Sequence, residues 1–586
     1  MSKRYEFMVN PELYEGIPCQ TACPVHTDVR GYVTLISQGR FEEAYELIRE
    51  TNPFPSVCGR ICQHFCERNC SRQRIDASVS ICTLKRAVSD HVLTNKGKKT
   101  SAKIYGTGEK AAIIGAGPAG LTTAHDLAKL GYRVTVFESL PVAGGMLMVG
   151  IPSYRLPRDI IQSEVDYIRS LGVDIRFNTT IGKDIQIKDL MREYTAILIA
   201  AGAHKAVKLN ISGEEYNGSI HGATFMRKVN LNEPLGLKGK RVAVVGGGFT
   251  AMDVSRSAIR LGASEVYIIY RRTRDEIPVN EKEIIEAEEE GVQFKYLIAP
   301  VRILSKDGKN VSGMECIKNE LGEPDKSGRR KPVPIKGSEF VIDVDIIVPA
   351  VSQAPDNTVI SGGTGFKMTN WGTIAIDSES FATNIKGVFA CGDFLTGTRD
   401  VINVISDGHK AAISIDKFLS DVDAESDEDS DRIEDIMVGY PYKERGYDNI
   451  RRHKAGVILM HKRVSTFEEV EKGFTEESAM LEGKRCLQCN HIWTHLTDKC
   501  FLCKNCEDVC PVDCLTVARL DELAHNRFFN ENIPLTAQGI TPVAIKRDLC
   551  IRCGLCEQVC PAYAITFIRK TDKKETVIVE EISEWR

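Results

Sequence analysis

At Lys110 the chain settles into a repeating pattern of hydrophobic and polar positions. The stretch KAAIIGAGPAGLTTAHDLAKLGYRVTVFE reads as a short β-branched strand, a glycine turn, an amphipathic helix and a second strand ending at Glu138. From Arg241 the same order returns in RVAVVGGGFTAMDVSRSAIRLGASEVYIIYRR. Apolar strands follow, in FVIDVDIIVPAVSQ from Phe340 and GVFACGDF from Gly387, with a helix starting near Asn403. Strands alternating with helices in this way predict two α/β units.

The glycines give both turns a chemistry. Gly115, Gly117 and Gly120 form GxGxxG between a strand and a helix, and Glu138 ends the next strand where a ribose-binding acid belongs. Such a turn rests a pyrophosphate on a helix N-terminus while the glycines let the backbone come close. The second unit carries GxGxxA in Gly246, Gly248 and Ala251. Its second strand runs into Tyr270, Arg271 and Arg272 instead of an acid, which suits the 2′-phosphate of NADP(H). The alternative is that both Arg are solvated charges at a strand end.

Composition narrows the class. A chain of 586 residues is too long for one core and should divide into roughly three to five units. With 27% charged residues and a net charge of −4 there is no bulk electrostatic reason to bind nucleic acid or anionic lipid. No apolar stretch reaches the length of a membrane span, and the start, MSKRYEFMVNPELYEG, lacks the apolar core of a signal peptide. Of 20 Cys, seven precede residue 90 and eleven follow residue 485, which argues for two metal-binding ends, and against a secreted disulfide scaffold. A reducing cytoplasm is the expected location. Residues 421–435 hold nine acids against one Arg and are expected to form a solvated linker.

Near the C-terminus CFLCKNCEDVC and CIRCGLCEQVC each precede a proline, Pro511 or Pro561. Two C-x2-C-x2-C-x3-C-P runs have the spacing for a pair of [4Fe–4S] cubanes. Zinc would need two C-x2-C pairs per site and leaves the fourth Cys and the proline unexplained. The runs resemble bacterial two-cluster ferredoxins, and the resemblance implies Cys500, Cys503, Cys506 and Cys560 on one cluster and Cys550, Cys553, Cys556 and Cys510 on the other. Cys514 has no place in the motif.

Five motifs in order, GAGPAGL, AGGMLMVGIPSYRLP, GGGFTAMD, the YRR strand end and ACGDF, resemble the small (beta) subunit of NADPH-dependent glutamate synthase and its relatives over roughly residues 15 to 420. These relatives include the large subunit of NADH-dependent reduced ferredoxin:NADP oxidoreductase, the Sporomusa-type Nfn transhydrogenase and the N-terminal half of dihydropyrimidine dehydrogenase. The resemblance implies a multidomain chain: a helical N-terminal iron–sulfur domain (1–103), an FAD-binding α/β domain in two parts (104–235 and 341–420) with an NADPH-binding α/β domain (236–340) inserted, an acidic linker (421–435), a helical connector (436–498) and an α+β ferredoxin domain (499–586). Gly144, Gly145, Gly392 and Asp393 would then hold the flavin. Phe249 stands where relatives usually have Asp or Asn.

Relatives open their N-terminal domain with R-C-x2-C-x4-C-x3-C-P. Here only Cys19 and Cys23 remain at the front, and Arg485-Cys486-Leu487-Gln488-Cys489 looks like the missing half. The resemblance thus implies a split cluster on Cys19, Cys70, Cys486 and Cys489. A second would use Cys23, Cys62 and Cys66; where relatives often have Gln or Glu as fourth ligand this chain has Lys85, leaving Cys82 or Cys58.

FAD, NADP(H) and about four [4Fe–4S] clusters together describe a converter between hydride and single electrons, in which the flavin carries the chemistry and no protein catalytic residue is required. The expected partners are other subunits of an iron–sulfur/flavin complex, or ferredoxin, in an electron-bifurcating transhydrogenase or hydrogenase. Two other readings are a glutamate synthase small subunit feeding an amidotransferase, and a non-catalytic electron-wire scaffold.

Overall fold

The computed structural model describes residues 17–95, 108–325, 328–361, 365–370, 372–420, 446–489, 491–495, 499–517, 543–545 and 549–569. The acidic run 421–435 and the ends of the first and last expected domains lie outside the described residues.

The N-terminal unit is helical. Its helices Val29–Ser37, Phe41–Arg49, Pro55–Ile61 and Ile81–Asn95 surround a core that includes Tyr32, Leu35, Ile36, Ile48, Leu84 and Val88. The first starts on a cap, the Asp28 carboxylate accepting the Gly31 N–H at 2.9 Å. A distant helix, Glu476–Gly483, adds its fully buried Ala479 to the same core.

The first α/β unit is a parallel sheet in the order Val388–Ala390, Ala196–Ile199, Lys110–Ile114, Arg133–Phe137, Asp174–Arg176. Helices Pro118–Lys129 and Val401–Leu419 cross closely because Gly408 has no side chain; a Cβ there would meet the Ala119 carbonyl at 2.7 Å. The second parallel sheet, Ile346–Pro349, Arg241–Val245, Glu265–Tyr270, Gln293–Tyr296, falls in sequence between the Ala196–Ile199 and Val388–Ala390 strands of the first.

Three expected boundaries are corrected. The limit at 340 moves past Pro349, because Ile346–Pro349 pairs in register with Val242–Val245. The limit at 235 moves forward of helix Gly222–Asn230, whose Phe225 and Met226 pack into the second unit's core. The ferredoxin unit starts before 499: strand His491–His495 pairs antiparallel with Ile565–Arg569, while Leu515–Val517 pairs with Val543–Ile545. Among its described residues the connector is also less helical than expected, with the short helices Met460–Arg463 and Glu476–Gly483 joined by irregular chain. It ties the units together: Arg463 bonds Glu289 at 3.0 Å, the Val470 N–H donates to the Tyr154 carbonyl at 2.9 Å, and Glu469 lies between Arg60 (2.8 Å) and Arg86 (2.9 Å). Among the described residues no helix is long and apolar enough to cross a membrane.

One buried acid joins the helical unit to the first sheet unit. Glu164, on helix Arg158–Ser170, accepts the Ser56 N–H at 2.6 Å at the start of helix Pro55–Ile61. Burial raises its carboxyl from 4.5 to about 7 despite the Arg49 guanidinium and the Ser56 N–H. A raised carboxyl pKa favours the folded state most when protonated, so this stabilisation is whole below about pH 4.5 and lost as pH rises through about 7. Glu164→Gln is therefore expected to gain on the parent by about 3 kcal/mol between pH 5 and pH 8. Thermal unfolding of both chains across that range checks it; a constant difference would show that Glu164 does not titrate there.

Candidate functional site

The first glycine turn is a cradle built by steric necessity. Gly115 has φ +108°, and a Cβ there would stand 2.4 Å from the Ala200 carbonyl oxygen; a Cβ on Gly120 would stand 2.1 Å from that of Gly115. Gly117, between them, faces open space. Glu138 braces the turn by accepting the N–H groups of Ala116 and Leu140, each at 2.8 Å. The cavity above, about 390 Å³, is lined by Gly117, Glu138, Gly145, Gly392 and Asp393. Gly144 adjoins Gly145, where a Cβ would press on the Gly117 Cα at 2.9 Å. Burial pushes Asp393 up to about 6 although it accepts the Arg399 N–H at 3.0 Å. An open glycine face at a helix N-terminus, with an acid at the next strand end, fits the pyrophosphate and ribose of a dinucleotide.

The second cradle repeats the design. Gly246 sits 2.4 Å, by its Cβ direction, from the Ala350 carbonyl, Gly248 faces open space, and Ala251 is buried in helix Phe249–Arg260. Its cavity of about 560 Å³ is lined by Gly246, Gly248, Tyr270, Arg271, Arg272 and Arg329. The two sequence-predicted arginines part company here. Arg271 is exposed at the cavity, whereas Arg272 is buried, bonded to Asp325 at 2.5 Å and to the Arg330 carbonyl at 2.7 Å.

A third cavity, about 610 Å³, connects the units. It is lined by Pro118, Met146 and Asp393 from the first, Gly248, Phe249 and Asp253 from the second, and Ile61, Phe65 and Arg68 from the helical unit. Arg155, within the quoted AGGMLMVGIPSYRLP motif but given no role there, grips Asp253 and Glu283 at 2.8 Å each and lies 5.8 Å from the Phe249 ring centroid. Nothing in the spacing marks this pair, since its partners lie 98 and 128 residues away.

The cysteines gather into sets. Cys19, Cys70, Cys486 and Cys489 line one small apolar pocket with Ile17, Val29 and Val33. Burial, then the thiols of Cys489, Cys486 and Cys70, push the Cys19 thiol up. Next to this set, Cys66 and Cys82 share a core against which Cys62 packs, and Cys23 is buried nearby, its thiol pushed up by burial and by Cys66. Cys58 instead donates to Asn52 Oδ1 at 3.7 Å. In the ferredoxin unit Cys510, Cys550, Cys553 and Cys556 line one pocket, with the unassigned Cys514 3.5 Å from Cys510. Cys500 and Cys503 gather at Cys506, while the Cys560 Sγ accepts the Ala564 N–H at 3.2 Å. Thiols converging around apolar space are the donor set iron–sulfur clusters use. The units also touch: Arg552 donates to the Cys489 carbonyl at 3.0 Å, Tyr447 donates to the Cys553 carbonyl, and Leu487 shares a core with Ile551 and Leu555.

Two glycine-cradle α/β units flanked by cysteine-rich domains define an FAD- and NAD(P)-binding oxidoreductase with about four iron–sulfur clusters. Residues 109–412 match the pyridine nucleotide-disulphide oxidoreductase family, and the chain belongs to it. Residues 15–97 match dihydropyrimidine dehydrogenase domain II, 4Fe-4S cluster, and 499–564 match the 4Fe-4S dicluster domain. Cys486 and Cys489 fall between these two matches. Among curated relatives, the NADP(+)-dependent formate dehydrogenase subunit beta of Moorella thermoacetica is 42% identical over 81% of this chain and 71% of its own length. The NADPH-Fe(3+) oxidoreductase subunit beta of Geobacter sulfurreducens is 38% identical over 81% and 75%. The glutamate synthase [NADPH] small chain of Azospirillum brasilense is 35% identical over 69% and 86%.

Proposed function

We propose that this chain exchanges hydride with NADP(H) at FAD and passes single electrons through four cysteine-held [4Fe–4S] clusters to partner subunits of a redox complex. The first α/β unit is the discontinuous FAD domain, with Gly115, Gly117, Gly120, Glu138, Gly144, Gly145, Gly392 and Asp393 around the cofactor. The inserted unit is the NADPH domain, with Gly246, Gly248 and Ala251 at the pyrophosphate and Arg271 at the 2′-phosphate. When bound, a flavin takes an electron pair as hydride and releases electrons singly, and each cluster carries one. Asp393 and Phe249 border the cavity where the two nucleotide sites meet, and Arg155 fixes the angle between the domains through Asp253 and Glu283.

The observation that carries this reading is the order of the cysteine sets. The segment bearing Cys62 and Cys66 borders the inter-domain cavity through Ile61, Gln63 and Phe65. Cys66 lies close to Cys19, and Cys489 of the split set is bonded through its carbonyl to Arg552, between Cys550 and Cys553. Thiol sets therefore follow one another from the flavin cavity to the ferredoxin unit. The names of the relatives, beta subunits among them, support a partner subunit as the destination.

Anaerobic rapid mixing with NADPH tests the proposal. The flavin and then the cluster absorbance should bleach, and flavin bleaching with permanently oxidised clusters would overturn it. Arg271→Ala should reduce the preference for NADPH over NADH by about 10- to 150-fold, the loss of a charge-assisted bond of about 1.5–3 kcal/mol. Unchanged discrimination would remove Arg271 from the phosphate site.

A further inference from the structure

Cys23, Cys62 and Cys66 need a fourth partner, and the helix Ile81–Asn95 turns two side chains toward them, Cys82 and, one turn on, Lys85. Cys82 is the thiol that meets the others, sharing a core with Cys66 against which Cys62 packs. Its backbone is fixed as well: the Cys82 N–H donates to Glu67 Oε1 at 2.9 Å, and Glu67 is held by Arg452 at 2.6 Å. That carboxylate is thereby committed, although His64, Glu67 and Cys82 stand close enough together to share a metal. Cys58 shares the core of Cys23, with Phe54 and Val57, but its thiol is satisfied by Asn52.

Two further groups point into this space. Lys85 is 6% exposed, and its ammonium lies 5.9 Å from the Tyr32 ring centroid, near enough to Cys58, Cys23, Cys82 and Cys62 for their charges to raise its pKa. The Tyr32 hydroxyl is fully buried, lies among Cys66, Cys82, Cys19 and Cys23, and has no hydrogen-bond partner among the described residues. A buried hydroxyl without a partner is costly, and a buried ammonium more so, unless each meets an acceptor or an anion. A cluster with its sulfurs at this place supplies both.

We infer that Cys82 is the fourth ligand of the second N-terminal cluster, which is thus held by four thiolates, and that Lys85 is the cation, and Tyr32 the hydrogen-bond donor, that set its potential. This rests on the proposed reading of the N-terminal unit as a two-cluster domain. A fourth thiolate in place of a neutral ligand adds a negative charge and makes reduction harder; a dry ammonium nearby opposes that, as does a hydrogen bond to sulfur. Lys85 acts here through the cluster's field and touches no substrate.

The test uses the full chain purified without oxygen, with iron and sulfide content, EPR spectra and potentiometric titration as readouts and FAD content as the check of folding. Cys82→Ala should lose one of the four clusters, or convert it to a three-iron centre, while Cys58→Ala keeps all four. Lys85→Met should keep four clusters and move one midpoint to more negative potential, leaving the others in place. A Cys82→Ala chain with parental iron and spectrum overturns the ligand assignment, and unmoved midpoints in Lys85→Met overturn the role of the cation. If Cys82→Ala loses FAD as well, Cys82→Ser replaces it: an altered EPR signal supports the assignment and an unaltered one overturns it. A parent chain with iron for the ferredoxin pair alone would instead overturn the two-cluster reading of the N-terminal unit.

Discussion

Replacing Cys486 and Cys489 together by Ser should remove about a quarter of the iron while FAD and the ferredoxin clusters remain. The two thiols stand with Cys19 and Cys70 around a single pocket, although Cys19 and Cys486 lie at opposite ends of the sequence. Serine is a poor thiolate substitute, so losing two of four ligands should leave that pocket without a cluster. The other cysteine sets share no side chain with it. Iron analysis and EPR of the double variant decide the matter: full iron with an unaltered spectrum would return the pair to spare thiols. Loss of the ferredoxin signals as well would show that the split site is what docks that unit through Arg552 and Tyr447.

The gathering of these four thiols around one pocket was legible through the family resemblance. The half-motif that relatives carry at the front is missing before Cys19 and present at Arg485. The glycine cradles were legible from their GxGxxG spacing: Gly120 answers a steric demand of the nearby Gly115 carbonyl, whereas the demand on Gly115 comes from Ala200, far along the chain. What was not legible depends on partners far along the chain. The strand Ile346–Pro349 is fully buried, and a parallel strand apolar on both faces carries no mark of which sheet it joins. Arg272 reads like Arg271 until Asp325, 53 residues on, claims it. The inferred preference for Cys82 over Cys58 likewise rests on packing and not on spacing.

Arg485→Met should destabilise the chain by about 3–5 kcal/mol, the range for removing one partner of a buried ion pair. Arg485 is fully buried, and its guanidinium donates to Glu482 at 2.7 Å, to Asp76 at 2.9 Å and to the carbonyls of Ile450, Ser78 and Ala77 at 3.0, 3.1 and 2.6 Å. Asp76 would keep Arg72 at 2.6 Å, but Glu482, also fully buried, would lose its close guanidinium. Glu482 keeps the N–H groups of Ser80 and His453 at 2.8 Å each, so the penalty is mainly that of a buried charge that has lost its counter-charge, and Glu482→Gln in the same chain should recover part of it. Because Cys486 follows Arg485 directly, the iron of the split site should be released at the lowered unfolding temperature and not before. Thermal unfolding followed by iron release in the single and double variants measures both effects. A single variant that melts with the parent would show that packing of helix Glu476–Gly483, and not this arginine, holds the C-terminal cysteines against the N-terminal domain.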